Sequence, residues 1–192
     1  MGRHPRILGE GITYHVMSRC HNEAFLFRGT PDFALYWRYL CEAKEKFRFD
    51  LHAFQFLQNH VHLILKTNGE FFLDTIMHWL NHSFAEHYNK QYCRKGAFWR
   101  DRYMAKIIKD DLYGLACLRY VHRNALNAGL VERPDQWPWT CYKFYADGEA
   151  NPWITPLPSY LGLACDETTR REIYRHFVAV PGTGTENGHL WI

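Results

Sequence analysis

Two histidines flank a valine in the segment Asn59-His60-Val61-His62, at the start of a β-rich run of residues. Alternate residues of a strand point to the same side of a sheet, so the imidazoles of His60 and His62 lie side by side. Two neighbouring imidazoles can bind a divalent metal ion when other groups fix the orientation of the rings. The same pattern also occurs by chance in sheets that bind no metal, so it indicates a site only in combination with other residues.

A second set of reactive side chains lies on a segment with helical periodicity, residues 111–128. At about 100° per residue, one narrow stripe of this helix carries Tyr113, Cys117, Tyr120 and Asn124. Tyr120 and Asn124 are four residues apart and are therefore neighbours on the helix surface. A tyrosine hydroxyl can act as a nucleophile that forms a covalent intermediate. The alternative is a half-buried tyrosine that packs the helix onto a sheet, with an asparagine near the helix end.

Basic residues are concentrated between residues 94 and 109, where Asp101 is the only acidic residue. They are Arg94, Lys95, Arg100, Arg102, Lys106 and Lys109. Aromatic residues are interleaved with them at Phe98, Trp99 and Tyr103. Cations suit a nucleic-acid backbone and aromatic rings suit stacked bases. The alternative is a solvated strand whose aromatic residues make core contacts.

Length and composition indicate a globular protein of one domain, or of one domain with a C-terminal extension. The chain has 192 residues, 47% of them hydrophobic and 17% aromatic, which excludes a disordered chain. No apolar run approaches the roughly 20 residues that span a bilayer. The basic N-terminus lacks the apolar stretch of a secretory signal, so we expect a cytoplasmic protein without membrane contact. The six cysteines are scattered and are expected to be buried thiols rather than disulfides or zinc ligands.

The hydrophobic periodicity predicts the element order β-α-β-β-α-β, followed by one more helix. The predicted strands cover residues 12–18, 51–57, 61–66 and 99–109, and the predicted helices cover residues 32–48, 70–92 and 111–128. Asp32 is the predicted N-cap of the first helix, and Gly129 is the predicted C′ residue of the last. This order is typical of an α+β, ferredoxin-like fold with helices on one face of an antiparallel sheet. Residues 1–145 are expected to form the main domain, and residues 146–192 an extension with a short helix at 166–177 and a loose tail.

Five motifs in one order resemble the IS200-like and REP-associated tyrosine transposases, which belong to the HUH endonucleases. The motifs are Tyr14-His15-Val16, the segment 59–64, the segment 96–103, the segment 120–131 and Trp137-Pro138-Trp139. The resemblance as a whole covers about residues 12–142. One departure is Ala125, which stands where similar chains usually have proline.

The resemblance implies a metal-dependent enzyme that cuts and rejoins single-stranded DNA. It implies that His60, His62 and Asn124 bind Mg²⁺ or Mn²⁺, and that Tyr120 forms a 5′-phosphotyrosine link. Arg119, Arg123 or a metal-bound water are the candidates that would lower the pKa of the Tyr120 hydroxyl. Tyr113 is a candidate second nucleophile, although local packing or hydrogen bonding is the favoured interpretation.

The partner that the resemblance implies is single-stranded or hairpin DNA from palindromic repeats. The expected DNA contacts are Arg19, Asn59, Arg100, Arg102, Lys106 and Arg123. Trp137 and Trp139 either stack on bases or clamp a chain end onto the core, and the second interpretation is favoured. A monomer is expected in preference to a homodimer.

Two other functions remain open at the level of sequence. An HUH relaxase usually has its tyrosine before the histidine pair, and a replication initiator typically has a lysine where this chain has Arg123. A non-catalytic RNA-binding module could use the same ferredoxin-like sheet, with Phe54 and Phe56 as its central aromatic residues. The sequence lacks the RNP1 pattern of such modules.

Overall fold

A single four-stranded antiparallel sheet organises the protein, in a computed structural model that describes residues 11–180. The strands are β1 (Thr13–Arg19), β2 (Asp50–Phe56), β3 (His60–Lys66) and β4 (Met104–Ile107). Helix α1 (Thr30–Phe47) connects β1 to β2, and α2 (Leu73–Gln91) connects β3 to β4. The strand order β2-β3-β1-β4 is that of the ferredoxin-like fold, so the predicted α+β architecture is confirmed.

The two faces of the sheet are covered by different helices. Val61 and Leu63 of β3 are buried on the face that carries α1 and α2. There the Tyr36 ring of α1 packs at 5.0 Å from Phe56, and Asn81 of α2 donates a hydrogen bond to Ser18 at 2.9 Å. Because side chains alternate along a strand, the histidines of β3 face the opposite side.

Helix α3 (Asp111–Asn127) covers that opposite side, and both of its ends agree with the sequence prediction. The Asp110 carboxylate caps the N-terminus by accepting the Tyr113 N–H at 2.8 Å. At the other end Gly129 has a φ of 69°. Its N–H bonds to the Leu126 carbonyl, and the Leu130 N–H bonds to the Ala125 carbonyl, both at 3.0 Å. These are the two hydrogen bonds of a Schellman cap.

Two local predictions are wrong. Asp32 is not the N-cap of α1, because the helix begins at Thr30 with Gly29 as N-cap. Pro31 fits inside the first turn, where its missing N–H costs no hydrogen bond. Asp32 lies in the same turn, and its side chain accepts the Arg28 N–H at 2.8 Å. Strand β4 is only Met104–Ile107 instead of 99–109. The chain leaves the sheet between an isolated bridge at Trp99 and the first residue of β4.

The segment after α3 covers the outer edge of β2. The Phe56 N–H bonds to the Trp139 carbonyl at 2.9 Å, and the Trp137 indole donates to the Phe56 carbonyl at 2.9 Å. The Trp-Pro-Trp segment therefore clamps the chain onto the sheet, which was the favoured interpretation, and it protects an edge strand from pairing with another chain.

Three further helices follow: α4 (Tyr142–Ala146), α5 (Pro158–Leu161) and α6 (Glu167–Ala179). Helix α6 begins at the predicted position, with Asp166 as its N-cap. The buried ring of His122 on α3 bonds to the Tyr174 hydroxyl of α6 at 2.6 Å. The extension thus packs on the tyrosine-bearing helix. The division at residue 145 stays a prediction, and the predicted loose tail lies largely outside the described residues.

The helices and the cysteines bear on two expectations from the sequence, the lack of a membrane span and the burial of the thiols. Within residues 11–180, no helix combines the length and the apolar character needed to cross a membrane. All six cysteines are free thiols; Cys20, Cys117 and Cys141 are buried, whereas Cys93 and Cys165 are exposed. Burial of every thiol was therefore a wrong expectation.

Candidate active site

The two histidines of β3 lie next to each other on the sheet face under α3. His60 pairs with Arg19 of β1, and His62 pairs with Met17 of β1 and Gln55 of β2. The two rings are 4.9 Å apart between centroids and perpendicular to each other. The expectation that both imidazoles share one face is therefore confirmed.

Helix α3 brings Tyr120 and Asn124 onto this histidine pair. The Oδ1 atom of Asn124 lies 2.9 Å from Nε2 of His60. One turn earlier, the Tyr120 ring packs edge-on against His62, with 5.4 Å between centroids. The Tyr120 hydroxyl also hydrogen-bonds to the Asn124 side chain. The four residues predicted to act together thus form one cluster.

The geometry around His60 suits a cation. Its Nδ1 lies 2.6 Å from Oδ1 of Asn59. When Nδ1 carries the proton and donates it to Asn59, the Nε2 lone pair faces the Asn124 oxygen. Two adjacent ligands of an octahedral ion at about 2.1 Å are about 3.0 Å apart, close to the 2.9 Å observed between these atoms. Within residues 11–180, no three His, Cys, Asp or Glu side chains form a metal-binding group, so an ion here would need the amide oxygen.

Burial keeps the histidines of the cluster neutral. Desolvation lowers the pKa of His60 to about 4; the hydrogen bond that the protonated ring donates to Asn124 acts in the opposite direction and is the smaller effect. Desolvation also holds the pKa of His62 well below its usual value, and the nearby His60 and His15 act in the same direction. Neutral imidazoles are the form that binds a metal ion.

His15 is a member of the site to which the sequence assigned no role. It is buried on β1, and its Nε2 lies 3.2 Å from Nδ1 of His62. Its ring also lies 5.7 Å from that of Tyr120. Desolvation lowers the pKa of His15 to about 3. A neutral His15 can fix the orientation of the His62 ring, which is the task of an outer partner in a metal site. In the sequence, the only indication of a role for His15 is its position in the Tyr14-His15-Val16 motif.

Gln55 is a second residue that the sequence did not identify. It lies on β2 beside His62 and is fully buried under α3. With its amide oriented to suit both partners, its nitrogen donates to the Val121 carbonyl and its oxygen accepts the Ala125 N–H at 2.7 Å. This amide therefore holds α3 on β2 at the turn that carries Tyr120 and Asn124. Proline at position 125 would lack the N–H that Gln55 accepts.

The positive charge of Arg19 acts on the Tyr120 hydroxyl. Desolvation raises the pKa of Tyr120, and the hydrogen bond from Asn124 and the charge of Arg19 act in the opposite direction. The expected candidates point elsewhere: Arg119 donates to the Val180 carbonyl and Arg123 to the Val178 carbonyl, at the C-terminal end of α6. Both lie on the flank of α3 that faces α6, where they complement the helix dipole.

Tyr113 makes a local contact rather than a contact with the histidine pair. Its hydroxyl hydrogen-bonds to Cys117, one turn later on α3. Burial, together with Cys117, raises the pKa of Tyr113 to about 12. This agrees with the favoured interpretation of local hydrogen bonding.

The residues expected to contact DNA divide into three groups. Arg19, Asn59 and Lys106 lie around the histidine pair; Lys106 is opposite His15 in the sheet, and its charge contributes to the lowered pKa of that histidine. Arg100 and Arg102 are exposed farther along the chain, and Arg102 lines a groove of about 570 Å³ beside α2. The side chain of Arg123, on α3, binds the C-terminal end of α6. Their contacts with DNA stay predictions.

The chain matches the family described as transposase IS200 like, over residues 10–124. The chain belongs to the IS200-like transposase family. The matched region includes both histidines, Tyr120 and Asn124. Membership identifies the chain as a transposase-type protein that cleaves DNA.

Two solved structures resemble this transposase. One is a REP-associated tyrosine transposase bound to a REP hairpin, 16% identical, with a TM-score of 0.68 over 83% of this chain and 96% of that one. The other is a putative transposase from Deinococcus radiodurans R1, 14% identical, with a TM-score of 0.45 over 69% of this chain and 95% of that one. The first shares the fold. No curated protein matches the chain.

Proposed function

We propose that this transposase is a metal-dependent endonuclease and strand transferase for single-stranded hairpin DNA, with Tyr120 as its nucleophile. The observation that carries the proposal is the contact between α3 and β3. A tyrosine and an amide one turn apart lie directly over two neutral imidazoles, of which His62 is buried and His60 is half-buried, with Asn124 at 2.9 Å from His60.

His60, His62 and Asn124 would hold one Mg²⁺ or Mn²⁺ ion. When bound, the ion would supply positive charge that polarises a nonbridging oxygen of the scissile phosphate. All three ligands are uncharged at neutral pH, so they leave the charge of the ion undiminished. Asn59 and His15 hold the two imidazole rings by hydrogen bonds, at 2.6 and 3.2 Å respectively.

In the cleavage step, the Tyr120 oxygen attacks the phosphorus and its proton is released. The bond between the phosphorus and the 3′ oxygen breaks, and that oxygen leaves as a 3′-hydroxyl once it takes up a proton. The 5′ end then remains linked to Tyr120 as a phosphotyrosine. The Asn124 amide and the Arg19 charge favour the phenolate, in opposition to burial.

Strand transfer is the same reaction in reverse. The phosphotyrosine bond retains the reactivity of the phosphodiester, so a second 3′-hydroxyl can attack it and release Tyr120. Arg119 and Arg123 bind the end of α6, and Gln55 binds the middle of α3. These contacts keep the nucleophile in place between the two steps.

Hairpin DNA is the proposed substrate, bound by a protein that acts as a monomer. Support for the hairpin comes from the exposed Arg19 beside the histidine pair, and from a relative of the same fold that was solved with a REP hairpin. The RNA-binding alternative loses its main support, because Phe54 and Phe56 are buried and Trp37 of α1 packs on Phe54 at 4.6 Å. Neither ring is available to stack on a base.

A denaturing-gel assay tests the proposal. The protein is incubated with end-labelled imperfect hairpins that have single-stranded flanks, with Mn²⁺ or with EDTA. We expect a covalent adduct that requires Mn²⁺, disappears in Tyr120→Phe and persists in Tyr113→Phe, the matched control on the same helix. An adduct that persists in Tyr120→Phe, or that forms equally in EDTA, would contradict the proposal.

A further inference from the structure

We propose that Phe25, in the loop between β1 and α1, is a stacking platform for an unpaired base next to the scissile phosphate. The inference rests on the proposed function and assigns a base-binding residue to the same site. No part of the catalytic cluster described above includes this loop.

Phe25 is the most exposed Phe, Tyr or Trp side chain among residues 11–180, with 68% of its surface accessible. Burial of a phenylalanine side chain stabilises a folded protein, and the exposed Phe25 ring does not make that contribution. Its neighbour Phe27 is fully buried among aromatic rings, including Phe33 and Phe84. Two phenylalanines in one short loop thus have opposite environments.

The loop is attached to the turn that precedes the histidine pair. The Cys20 N–H bonds to the Asn59 carbonyl at 2.8 Å, and the Phe27 N–H bonds to the Gln58 carbonyl at 3.0 Å. Two residues of chain span at most about 7 Å, so Phe25 stays close to that turn. Asn59 in the same turn holds His60 at 2.6 Å. A base on Phe25 would therefore lie near the phosphate that the site positions.

The loop that carries Phe25 has an uncommon backbone conformation at two residues before the ring. Asn22 and Glu23 both adopt left-handed φ values, of 53° and 55°. A non-glycine residue in this region is uncommon and is retained where its surroundings enforce it. Here the Glu23 carboxylate forms an ion pair with Arg100 at 3.1 Å, and the His21 N–H bonds to the Phe98 carbonyl at 2.8 Å. These contacts fix the loop from the side of the basic segment.

Exposed arginines precede and follow the loop in the chain, and a third contacts it. Arg19 ends β1 immediately before the loop, Arg28 follows the loop, and Arg100 contacts it through Glu23. The Arg100 N–H also bonds to the Arg19 carbonyl at 2.9 Å. Cations that follow a phosphate backbone, together with an exposed ring, are the combination that binds single-stranded nucleic acid without regard to sequence. A paired base would already be stacked inside a duplex, so the occupant is an unpaired nucleotide in the flank of the hairpin.

Binding measurements without cleavage test the inference. Fluorescence anisotropy is recorded in EDTA for Tyr120→Phe protein with a labelled hairpin, either with single-stranded flanks or with none. We expect Phe25→Ala to weaken binding of the flanked hairpin about tenfold, the order of one lost base–aromatic stack. Binding of the hairpin without flanks should not change. Phe25→Trp should restore affinity, and Phe72→Ala, an exposed phenylalanine at the start of α2, is the matched control.

Abasic substitution along each flank then identifies the stacked base. One abasic position should weaken binding to the Phe25 protein and have no effect on the Phe25→Ala protein. Equal affinities of the Phe25 and Phe25→Ala proteins for the flanked hairpin would overturn the inference and leave the proposed function intact. Failure of the Phe25 protein to bind flanked hairpins would contradict both.

Discussion

The amide oxygen of Asn124 lies 2.9 Å from Nε2 of His60, although 64 residues separate them in the chain. The first residue belongs to α3 and the second to the start of β3, so the contact exists only when the helix is docked on the sheet. Gln55 holds α3 on the sheet, and Arg119 and Arg123 hold the end of α6 against α3. In the proposed mechanism, metal binding and the position of the nucleophile are therefore coupled through a single helix.

Substitution of Asn124 tests its role as the third ligand. Asn124→Ala removes the oxygen beside His60, and we expect the affinity for Mn²⁺ to fall by at least about tenfold. Isothermal titration of the DNA-free protein with MnCl₂ measures this directly. Asn127→Ala, at an exposed position on the same helix, should bind Mn²⁺ with unchanged affinity. Equal Mn²⁺ affinity in Asn124→Ala would exclude the amide as a ligand.

His15 is expected to act through His62. His15→Ala removes the partner that lies 3.2 Å from Nδ1 of His62, so the ring loses its fixed orientation. We expect a loss of about 10- to 100-fold in Mn²⁺ affinity, typical for removal of an outer partner in a metal site. His52→Ala controls for the loss of a buried histidine, because His52 bonds instead to the Thr155 carbonyl. If both variants bind Mn²⁺ equally well, His15 has no such role.

Arg19 is expected to set the pH dependence of cleavage. Its charge opposes the rise that burial causes in the Tyr120 pKa, so Arg19→Ala should raise that pKa. The pH–rate profile of adduct formation should then move to higher pH, and Arg19→Lys should move it back towards that of the unsubstituted protein. The profile is measured at saturating DNA. A residue that contacts only phosphate would change DNA affinity and leave the profile unmoved.

Acid should destabilise the protein well above the pH at which carboxylates titrate. Burial lowers the pKa of His122 and of His15 to about 3, from a value near 6.5 in the unfolded chain. Between these values the unfolded state binds more protons, so the free energy of unfolding decreases as pH falls. The slope is about 1.4 kcal/mol per pH unit for each histidine.

Urea unfolding at pH 7.5 and 5.5, followed by tryptophan fluorescence, measures this loss. The urea midpoint should be clearly lower at pH 5.5, and His122→Gln should reduce the difference because one titrating group is gone. A midpoint independent of pH over this interval would show that the histidines are not buried in the neutral state.

Local spacing explains which parts of the site the sequence reveals. His60 and His62 are two residues apart on a strand, and Tyr120 and Asn124 are one turn apart on a helix. Each pair follows from the period of its own element. The ferredoxin-like order is visible for the same reason, since long periodic segments define its helices and strands.

Contacts between elements explain what the sequence does not reveal. His15 reaches His62 only through the register of β1 on β3, and Gln55 reaches α3 only because the helix lies across β2. The direction of Arg119 and Arg123 depends on where α6 docks. No spacing within one segment carries this information, so the sequence offers Arg119 and Arg123 as candidates beside Tyr120 without revealing that both bind the end of α6.

Mass-spectrometric mapping of the DNA-linked residue tests the central claim most directly. Trypsin cleaves after Lys109, Arg119 and Arg123, so it places Tyr113 and Tyr120 in different peptides. After nuclease digestion of the adduct, we predict a 5′-nucleotide phosphate on the peptide of residues 120–123. The same modification on residues 110–119, or on a peptide outside α3, would contradict the assignment of Tyr120 as the nucleophile.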